Sequence, residues 1–159
     1  MALVTAVMQW HQAEYEVHTD VAAFDFDIIH GYLAKSYWSP GIPEATLRKA
    51  LAGSLCFGMF AEGRQIGFAR VISDRATFAY LCDVFVLPGF QGKGLGKWLM
   101  DCVMAHPDLQ ALRRMVLVTR DAHGLYREFG FTGLANPDGY MELHRPDIYR
   151  SEAPDLHRK

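Results

Sequence analysis

Apolar positions recur at helical spacing in two stretches between Asp25 and Gly53. Asp25 is of a residue type that caps helix N-termini, and the positions after it place apolar side chains on one side of a helix. The sequence Trp-Ser-Pro-Gly at 38–41 then interrupts the period, and Pro43 and Gly53 suit the start and the end of a second helix. We therefore expect two successive helices, preceded by a short strand over 14–18.

The middle of the chain has apolar runs that are too continuous for one face of a helix. Three runs, 55–61, 65–73 and 77–86, are separated by turns of only a few residues, and this spacing predicts three antiparallel strands. A helical pattern follows from about 94 to 105, and Pro107 prevents its continuation.

The last third predicts a strand, a helix and a hairpin. The apolar run 115–119 is short enough for a strand, and Asp121 can cap a helix that extends to Phe129. An Asn-Pro-Asp-Gly sequence, a strong turn signal, separates the runs 131–134 and 140–143, so we expect these two runs to pair as a hairpin.

The predicted elements follow the order β-α-α-β-β-β-α-β-α-β-β, which is a mixed α/β (α+β) arrangement. The strand, loop, helix and strand in the second half require one parallel crossover in a sheet that is otherwise antiparallel. No repeat, low-complexity tract or linker divides the sequence. We expect a single domain over 1–159, with its core at about 14–143 and a polar tail at 145–159.

Composition limits the classes of partner. Half of the 159 residues are apolar and 21% are charged, as in ordinary globular proteins, and the net charge of −2 offers no general attraction to nucleic acid or anionic lipid. The apolar stretch 2–8 has no basic residue before it, and no run reaches the ~18 apolar residues that span a bilayer, so we expect a cytoplasmic protein without a membrane partner. Three widely spaced cysteines indicate reduced thiols, and no cluster has metal-ligand spacing, so we expect no metal site.

A glycine-rich loop is the most informative segment of the sequence. Gly92, Gly94 and Gly96 alternate just before the predicted helix, where exposed backbone N–H groups and the helix N-terminus form an anion cradle. Lys93 and Lys97 add positive charge, which suits a pyrophosphate.

Two common nucleotide-binding motifs do not fit this loop. A P-loop requires glycine five positions before Gly96, where Gln91 stands, and Ser or Thr after Lys97, where Trp98 stands. A dinucleotide fingerprint requires its third glycine one residue later than Gly96. A glycine-rich turn that serves only the packing of helix on sheet stays open as the alternative.

Two motifs carry a resemblance to a known family. The segment Val86-x-Pro88-x-x-Gln91-Gly92-x-Gly94-x-Gly96 resembles the acyl-CoA-binding signature of the GNAT acetyltransferases. A second segment resembles another motif of that family, with Thr119 where Asn is usual: Thr119-x-x-Ala122-x-x-Leu125-Tyr126-x-x-Phe129-Gly130-Phe131.

The resemblance implies a GNAT-like sheet with a V-shaped splay and acetyl-CoA as the donor. It also implies that main-chain groups on the splayed strand pair with the pantetheine arm and that loop amides bind the pyrophosphate. The residues so implicated in cofactor binding are Val84, Phe85, Val86, Gln91, Gly92, Lys93, Gly94, Leu95, Gly96, Thr119 and Tyr126.

The same resemblance suggests catalytic and substrate-binding residues. Tyr126 matches the family's tyrosine on the last helix and is the candidate general acid for the leaving thiolate, with a core tyrosine as the alternative. Asp83, on the strand expected to splay, is the candidate base or anchor of a cationic acceptor, or else a structural residue at a bulge. His30, Tyr37 and Trp38 lie where this family shapes its acceptor pocket, although ordinary packing would also explain them.

These features predict an N-acetyltransferase. We expect transfer from acetyl-CoA to a primary amine of a small molecule by direct attack on the thioester, with a peptide N-terminus or a lysine as the second choice of acceptor. A non-catalytic acyl-CoA-binding sensor or regulatory module is the alternative. Association of two copies into a homodimer through a sheet edge also stays open.

Overall fold

The computed structural model describes residues 6–150, which form one six-stranded sheet with helices on both faces. The strands are β1 Gln9–Gln12, β2 Tyr15–His18, β3 Leu55–Ala61, β4 Arg64–Ser73, β5 Phe78–Val86 and β6 Arg114–Leu117. The helices are α1 Phe26–Leu33, α2 Glu44–Ala52, α3 Leu95–Ala105 and α4 His123–Arg127.

The six strands lie side by side in their order along the chain, β1-β2-β3-β4-β5-β6. Every neighbouring pair is antiparallel except β5 and β6, which run parallel because α3 carries the chain across the sheet between them. The mixed, mostly antiparallel sheet with one parallel crossover is confirmed.

The start of α1 and both ends of α2 lie where their sequence signals predicted, whereas α1 ends at Leu33, before the interrupting sequence at 38–41. The Asp25 carboxylate accepts a hydrogen bond from the Ile28 N–H at 3.2 Å, which satisfies one of the free donors at the start of α1. Pro43 directly precedes α2, and Gly53 follows its last residue. The fixed φ of proline and the flexibility of glycine explain these two boundaries.

The sheet separates two hydrophobic cores, which gives the molecule three layers. On one face, α3 and Tyr126 of α4 pack on the sheet through Leu99, Met100 and Val103, all fully buried. On the other face, α1 and α2 cover Phe68 and Phe85. Tyr149 packs against this second core, so the polar tail predicted from 145 contacts the body of the protein as far as that residue; 151–159 lie outside the described residues.

The strand β1 was not predicted, and it extends the sheet beyond the expected core boundary at 14. Its sequence Gln-Trp-His-Gln carries one large apolar side chain, Trp10, and the other three positions are exposed. The strand forms because β2 offers a free edge with which it pairs from Gln9 to Gln12. A period-2 apolar pattern is absent from such an edge strand, so the sequence gives no signal for it.

The predicted cap of α4 is wrong. Asp121 makes no capping hydrogen bond, and the Thr119 hydroxyl accepts a hydrogen bond at 3.1 Å from the N–H of Ala122, the residue just before α4. The helix ends at Arg127, and the following turn closes at Gly130 with φ of +92°. A threonine hydroxyl three residues before an amide has the same reach as an aspartate cap, so the two signals compete locally.

The predicted hairpin is also wrong. Neither 131–134 nor 140–143 is a strand, and the turn between them is a 3-10 turn, Pro137–Gly139. A two-stranded hairpin is marginal on its own and needs a neighbouring sheet edge or core. Here the side chains of Met141 and Leu143 are 97% and 86% exposed, so no such support is in place.

None of the helices over 6–150 is both long and apolar enough to span a bilayer.

A buried histidine makes the stability of the fold depend on pH. His106 follows α3, is 1% exposed, and packs its ring edge-on against Phe57. Its Nδ1 accepts a hydrogen bond from the Asp108 N–H, while Nε2 has no partner among the described residues. Burial lowers the pKa of His106 below its ordinary 6.5. The folded protein therefore holds this ring neutral.

We expect the free energy of unfolding to fall as the pH drops below about 6.5. In that range the unfolded chain binds a proton at His106 that the folded chain excludes, so acid favours unfolding. The His106→Phe variant lacks this proton uptake. Urea unfolding at about pH 7.5 and about pH 5.5 should show a smaller loss for the variant than for the parent. Equal losses in both proteins would contradict the prediction.

Candidate active site

The sheet opens between β5 and β6. The two strands pair only from Phe78 with Arg114 to Leu81 with Leu117, yet β5 continues to Val86. Beyond Leu81, therefore, the side of β5 that faces β6 has no strand partner among the described residues. This is the V-shaped splay that the resemblance implied, and 84–86 lie along its edge.

A bulge at Asp83 marks the beginning of the splay. Asp83 has φ of +55°, in the left-handed region, and the pairing of β4 with β5 shifts register between Phe68 and Arg70. The extra residue reverses which face the next side chains occupy: Leu81 packs in the core beneath α3, whereas Phe85 packs beneath α1 and α2. Asp is among the few side chains that tolerate this conformation.

Asp83 is held by two donors on the α1 side of the sheet. The Arg70 Nε–H donates to Oδ2 at 2.7 Å, and the Trp38 indole N–H donates to Oδ1 at 2.8 Å. Arg70 also donates from Nη1 to the Ser54 hydroxyl at 3.0 Å. The side chains of Arg70 and Asp83 are only 15% and 7% exposed, so little solvent screens this ion pair. The network fixes the bulge and ties the α1–α2 loop to β5.

We expect Asp83→Asn to lower the free energy of unfolding by about 3 kcal/mol, because it leaves the Arg70 guanidinium buried without its counter-ion. Asn tolerates the left-handed conformation as well as Asp does, so the change removes charge without adding backbone strain. Urea unfolding measures the effect. The matched control is Asp121→Asn, because the Asp121 side chain is 70% exposed and its contact with Arg120 is long, at 3.9 Å. The stability of this control variant should hardly change. Similar stabilities for both variants would contradict the ion pair's role.

The glycine loop leaves its amides unpaired. The Gln91 N–H reaches the Pro88 carbonyl at 3.4 Å, and the next loop or helix amide with a partner is Trp98, which donates to Gly94. None of the described residues accepts a hydrogen bond from the backbone N–H groups of 92–97. Six donors thus remain free at the N-terminus of α3, as an anion cradle requires.

Glycine is needed in this loop for its backbone conformation. Gly92 and Gly94 have φ of +79° and +77°, and a Cβ built on either one meets no atom within 4 Å. The Gln91 side chain donates to the Val86 carbonyl at 2.9 Å and ties the loop to the end of β5.

The two lysines of the loop differ in what they contact. Lys97 lies 3.7 Å from the Glu128 carboxylate, so its charge is partly balanced by α4. The ammonium of Lys93 lies 5.6 Å from the centre of the Phe90 ring and has no acidic partner among the described residues. Lys93 is accordingly the cation that remains free for an anionic ligand.

Tyr126 lies on α4 across the splay from β5. Its side chain is 92% buried by its neighbours, and its ring packs edge-on against Phe131 with centroids 6.0 Å apart. Burial, and secondarily the nearby Tyr37 hydroxyl, raises the pKa of Tyr126 above its ordinary 10. The phenol is therefore protonated at neutral pH and can donate a proton.

Tyr37 and Arg120 close one side of the splay. The Arg120 guanidinium carbon lies 3.8 Å from the centre of the Tyr37 ring, and the Arg120 backbone N–H donates to the Tyr37 hydroxyl at 3.3 Å. Tyr37 in turn packs edge-on against Trp38, with centroids 5.0 Å apart. The α1–α2 loop thus contacts the loop after β6, and its two aromatic residues lie between Asp83 and Tyr126.

Two of the predicted site residues, His30 and Thr119, make hydrogen bonds that stabilise the local structure. The His30 ring nitrogen Nε2 is 2.8 Å from the Ile42 carbonyl, and the ring stacks on Phe26, so His30 fastens the α1–α2 loop to α1. The Thr119 hydroxyl is hydrogen-bonded to the Ala122 N–H in the turn before α4. Among 6–150, no group of three or more His, Cys, Asp or Glu side chains could hold a metal ion.

The sequence analysis did not identify Arg70 and Arg120 as residues of the site. An arginine near a strand end is most often a solvated charge, but Arg70 lies within β4 and its side chain is only 15% exposed. A signal was present, because Arg70 is flanked by Ala69 and Val71, both fully buried. A charged residue inside such a run requires a counter-ion in the fold. The contact of Arg120 with Tyr37 joins residues 83 positions apart and has no local signal.

Comparison with known proteins identifies relatives over most of the chain. The family model described as "Acetyltransferase (GNAT) family" matches residues 4–131. A candidate acetyltransferase of Gibberella zeae is 32% identical over 168 aligned residues, covering 85% of this chain and 94% of the relative.

Solved structures agree with these relatives. The crystal structure of a candidate GNAT acetyltransferase from Xanthomonas campestris is 53% identical, with a TM-score of 0.84 over 86% of this chain and 97% of that one. A Mycobacterium tuberculosis protein crystallised in complex with CoA has a TM-score of 0.60 at 21% identity. It covers 74% of this chain and 72% of its own, and shows likeness of fold.

Proposed function

Because the chain belongs to the GNAT acetyltransferase family, we propose that it transfers an acetyl group from acetyl-CoA to a primary amine of a small molecule. The observation that carries the proposal is the row of free amides over 92–97 at the mouth of the splay. A diphosphate requires several converging donors, and the unpaired edge of β5 beside it suits an extended amide-containing arm. The fold neighbour in complex with CoA supports the same choice of donor.

The residues of the loop and of β5 fit acetyl-CoA in chemistry as well as in position. The amides of Gly92 to Gly96 would hold the diphosphate, Lys93 would balance its charge, and the main chain of Val84 to Val86 would pair with the pantetheine arm. When bound, the thioester supplies an activated acetyl group. The side chains around the splay would carry out the proton transfers to the leaving thiolate and from the acceptor amine.

Tyr126 and Asp83 have separate tasks in this proposal. The protonated Tyr126 phenol donates its proton to the leaving thiolate. An alkyl amine with a pKa near 10 requires about 4 kcal/mol to lose its proton at neutral pH, so it also needs a base. Each Asp83 oxygen accepts one hydrogen bond from protein and can accept a second. The carboxylate can therefore hold the acceptor's ammonium group and take up its proton, directly or through a bound water.

Direct transfer is favoured over a covalent enzyme intermediate. Burial raises the pKa of Cys56, Cys82 and Cys102 to about 12 in each case. All three thiols are thus protonated at neutral pH and unsuited to attack a thioester. The free base of the acceptor amine is the better nucleophile.

The proposal is tested by thiol release from acetyl-CoA across a panel of small amines, amino acids and peptides, beside a binding titration. We expect saturable binding, and release that depends on an amine from the small-molecule group. Binding without turnover for any acceptor would favour the acyl-CoA sensor instead. Turnover only with peptides would replace the proposed acceptor class.

A further inference from the structure

An arginine held against an aromatic ring lies at the side of the splay. The Arg120 guanidinium carbon is 3.8 Å from the centre of the Tyr37 ring, so the planar group rests over the ring. The Arg120 backbone N–H donates to the Tyr37 hydroxyl, which fixes the main chain at the same point. A guanidinium positioned in this way loses less conformational freedom on binding a ligand than a fully solvated one does.

The hydrogen-bond donors of this guanidinium are free. The Asp121 carboxylate, at 3.9 Å, is the one acidic group within 4 Å of it among residues 6–150, and that distance is too long for a hydrogen bond. The Arg120 side chain is 66% exposed, so a ligand can reach it. Its fork of N–H groups is therefore open to a planar anion, which arginine binds through two parallel hydrogen bonds.

The opposite charge lies on the other side of the two aromatic residues of the α1–α2 loop, Tyr37 and Trp38, which we call the aromatic pair. The Trp38 indole N–H donates to the Asp83 carboxylate, whereas the Tyr37 ring contacts Arg120. No ion pair joins Asp83 to Arg120 within 4 Å. The site thus presents an anion and a cation that contact different rings of the aromatic pair.

The exposed surface of the aromatic pair suits a chain of methylene groups. Tyr37 is 49% exposed and Trp38 is 38% exposed, and their rings pack edge-on. A row of CH₂ groups laid along both rings would remove apolar surface from water on both sides of the contact. The wall between the two charges therefore favours an aliphatic spacer over a polar one.

A carboxylate fits Arg120 better than a phosphate does. Arg120 supplies one positive charge, and the Asp121 carboxylate already lies 3.9 Å from it. A doubly charged phosphate would be repelled by Asp121 and would exceed the charge that one guanidinium can balance. A carboxylate carries a single charge and matches the planar fork of the guanidinium.

The separation of the two charges does not suit acetylation of an α-amino group. In an α-amino acid the nitrogen lies about 2.5 Å from the carboxylate carbon. The ring centroids of the aromatic pair alone are 5.0 Å apart. An acceptor that reaches both Asp83 and Arg120 therefore needs several carbon atoms between its ammonium group and its carboxylate.

We propose that the acceptor is an ω-amino carboxylic acid, with its ammonium group at Asp83, its methylene chain along the aromatic pair and its carboxylate on Arg120. The inference rests on the proposed function and names its acceptor more closely. The amine gives one proton to Asp83 and forms the bond to the acetyl carbon. The carbon–sulfur bond then breaks, and the leaving thiolate takes a proton from Tyr126. Arg120 determines which amine is bound and takes no part in these steps.

Steady-state kinetics with matched acceptors tests this assignment. γ-Aminobutyrate and δ-aminovalerate are each compared with the corresponding carboxamide, which keeps the amine and the chain length but has no negative charge. Glycine serves as the short acid. The parent should acetylate the two longer acids with a kcat/KM about 10-fold above that of their carboxamides, mainly through a lower KM, because the acid adds a charge-assisted pair of hydrogen bonds. Glycine should be the poorest of the acids.

Arg120→Gln removes the charge and keeps a long polar side chain. In this variant the ratio of kcat/KM for acid to carboxamide should fall about 10-fold, so that the two kinds of acceptor become equivalent. The matched control is Arg48→Gln. The Arg48 guanidinium carbon lies 3.7 Å from the centre of the Phe26 ring, so this control also removes a stacked guanidinium, but from α2. Its ratio should equal that of the parent.

The outcomes separate this inference from the proposed function. A parent that prefers the carboxamides or glycine, or an Arg120→Gln variant that keeps the parental ratio, would overturn the assignment of the acceptor while acetylation of amines still supported the proposed function. Acetylation of other small amines but of none of the longer acids would have the same meaning. If no amine of any kind is acetylated, the proposed function and this inference fail together.

Discussion

Replacing Tyr126 by Phe is expected to lower kcat by about 10²- to 10⁴-fold, the range for loss of a positioned general acid. The ring and its packing on Phe131 remain, so acetyl-CoA affinity should change little. The pH–rate profile gives a second readout. Because burial raises the pKa of Tyr126 above 10, the parent should lose activity only on the alkaline side of that value, and the variant should lack this limb.

The matched control for this change is Tyr15→Phe. Tyr15 is a half-buried tyrosine of β2 that packs against the same hydrophobic core as Tyr126. It lies near the opposite edge of the sheet from the splay. The loss of one hydroxyl there should leave kcat unaltered. Equal rates for parent and Tyr126→Phe would remove the phenol from the mechanism, whereas a matching loss in the control would indicate a general effect of removing a tyrosine hydroxyl.

Gly94→Ala is expected to weaken acetyl-CoA binding by about 100-fold. An alanine at φ of +77° costs about 1–2 kcal/mol, so the loop relaxes towards negative φ and turns its N–H groups away from the cradle. Loss of two charge-assisted hydrogen bonds, at about 1.5 kcal/mol each, gives the stated factor. Calorimetric titration of acetyl-CoA measures it.

Gly63→Ala is the control for backbone strain. Gly63 lies in the β3–β4 turn with φ of +79°, and a Cβ built there also meets no atom within 4 Å. Both variants should lose similar stability, yet only Gly94→Ala should lose affinity. Equal affinities in the two variants would show that the conformation of the loop is not what binds the cofactor.

Sequence patterns predicted the parts of this fold whose causes are local. The capping carboxylate of Asp25, the proline before α2 and the left-handed glycines of the loop act within a few residues, and the structure contains each of them. The apolar runs of β3 and β4 are largely buried on both faces, and β5 alternates buried with half-buried positions, which makes these strands recognisable without knowledge of their neighbours.

The parts that were missed depend on distant partners. β1 is a strand only because β2 offers an edge, and 131–134 and 140–143 are not strands because no sheet edge pairs with them. In the site, the sequence identified Asp83 and Trp38 separately, but their hydrogen bond and the role of Arg70 require contacts between residues 13 to 45 positions apart. No local period encodes such pairs.

The central claim is that the free amides before α3 bind the diphosphate of a CoA thioester. Calorimetric titration of the parent with acetyl-CoA, beside acetyl-pantetheine as the analogue without the diphosphate, tests it most directly. The account predicts saturable binding of one acetyl-CoA per chain and affinity for the analogue at least about 100-fold weaker. No heat with acetyl-CoA, or equal affinity for both compounds, would contradict it.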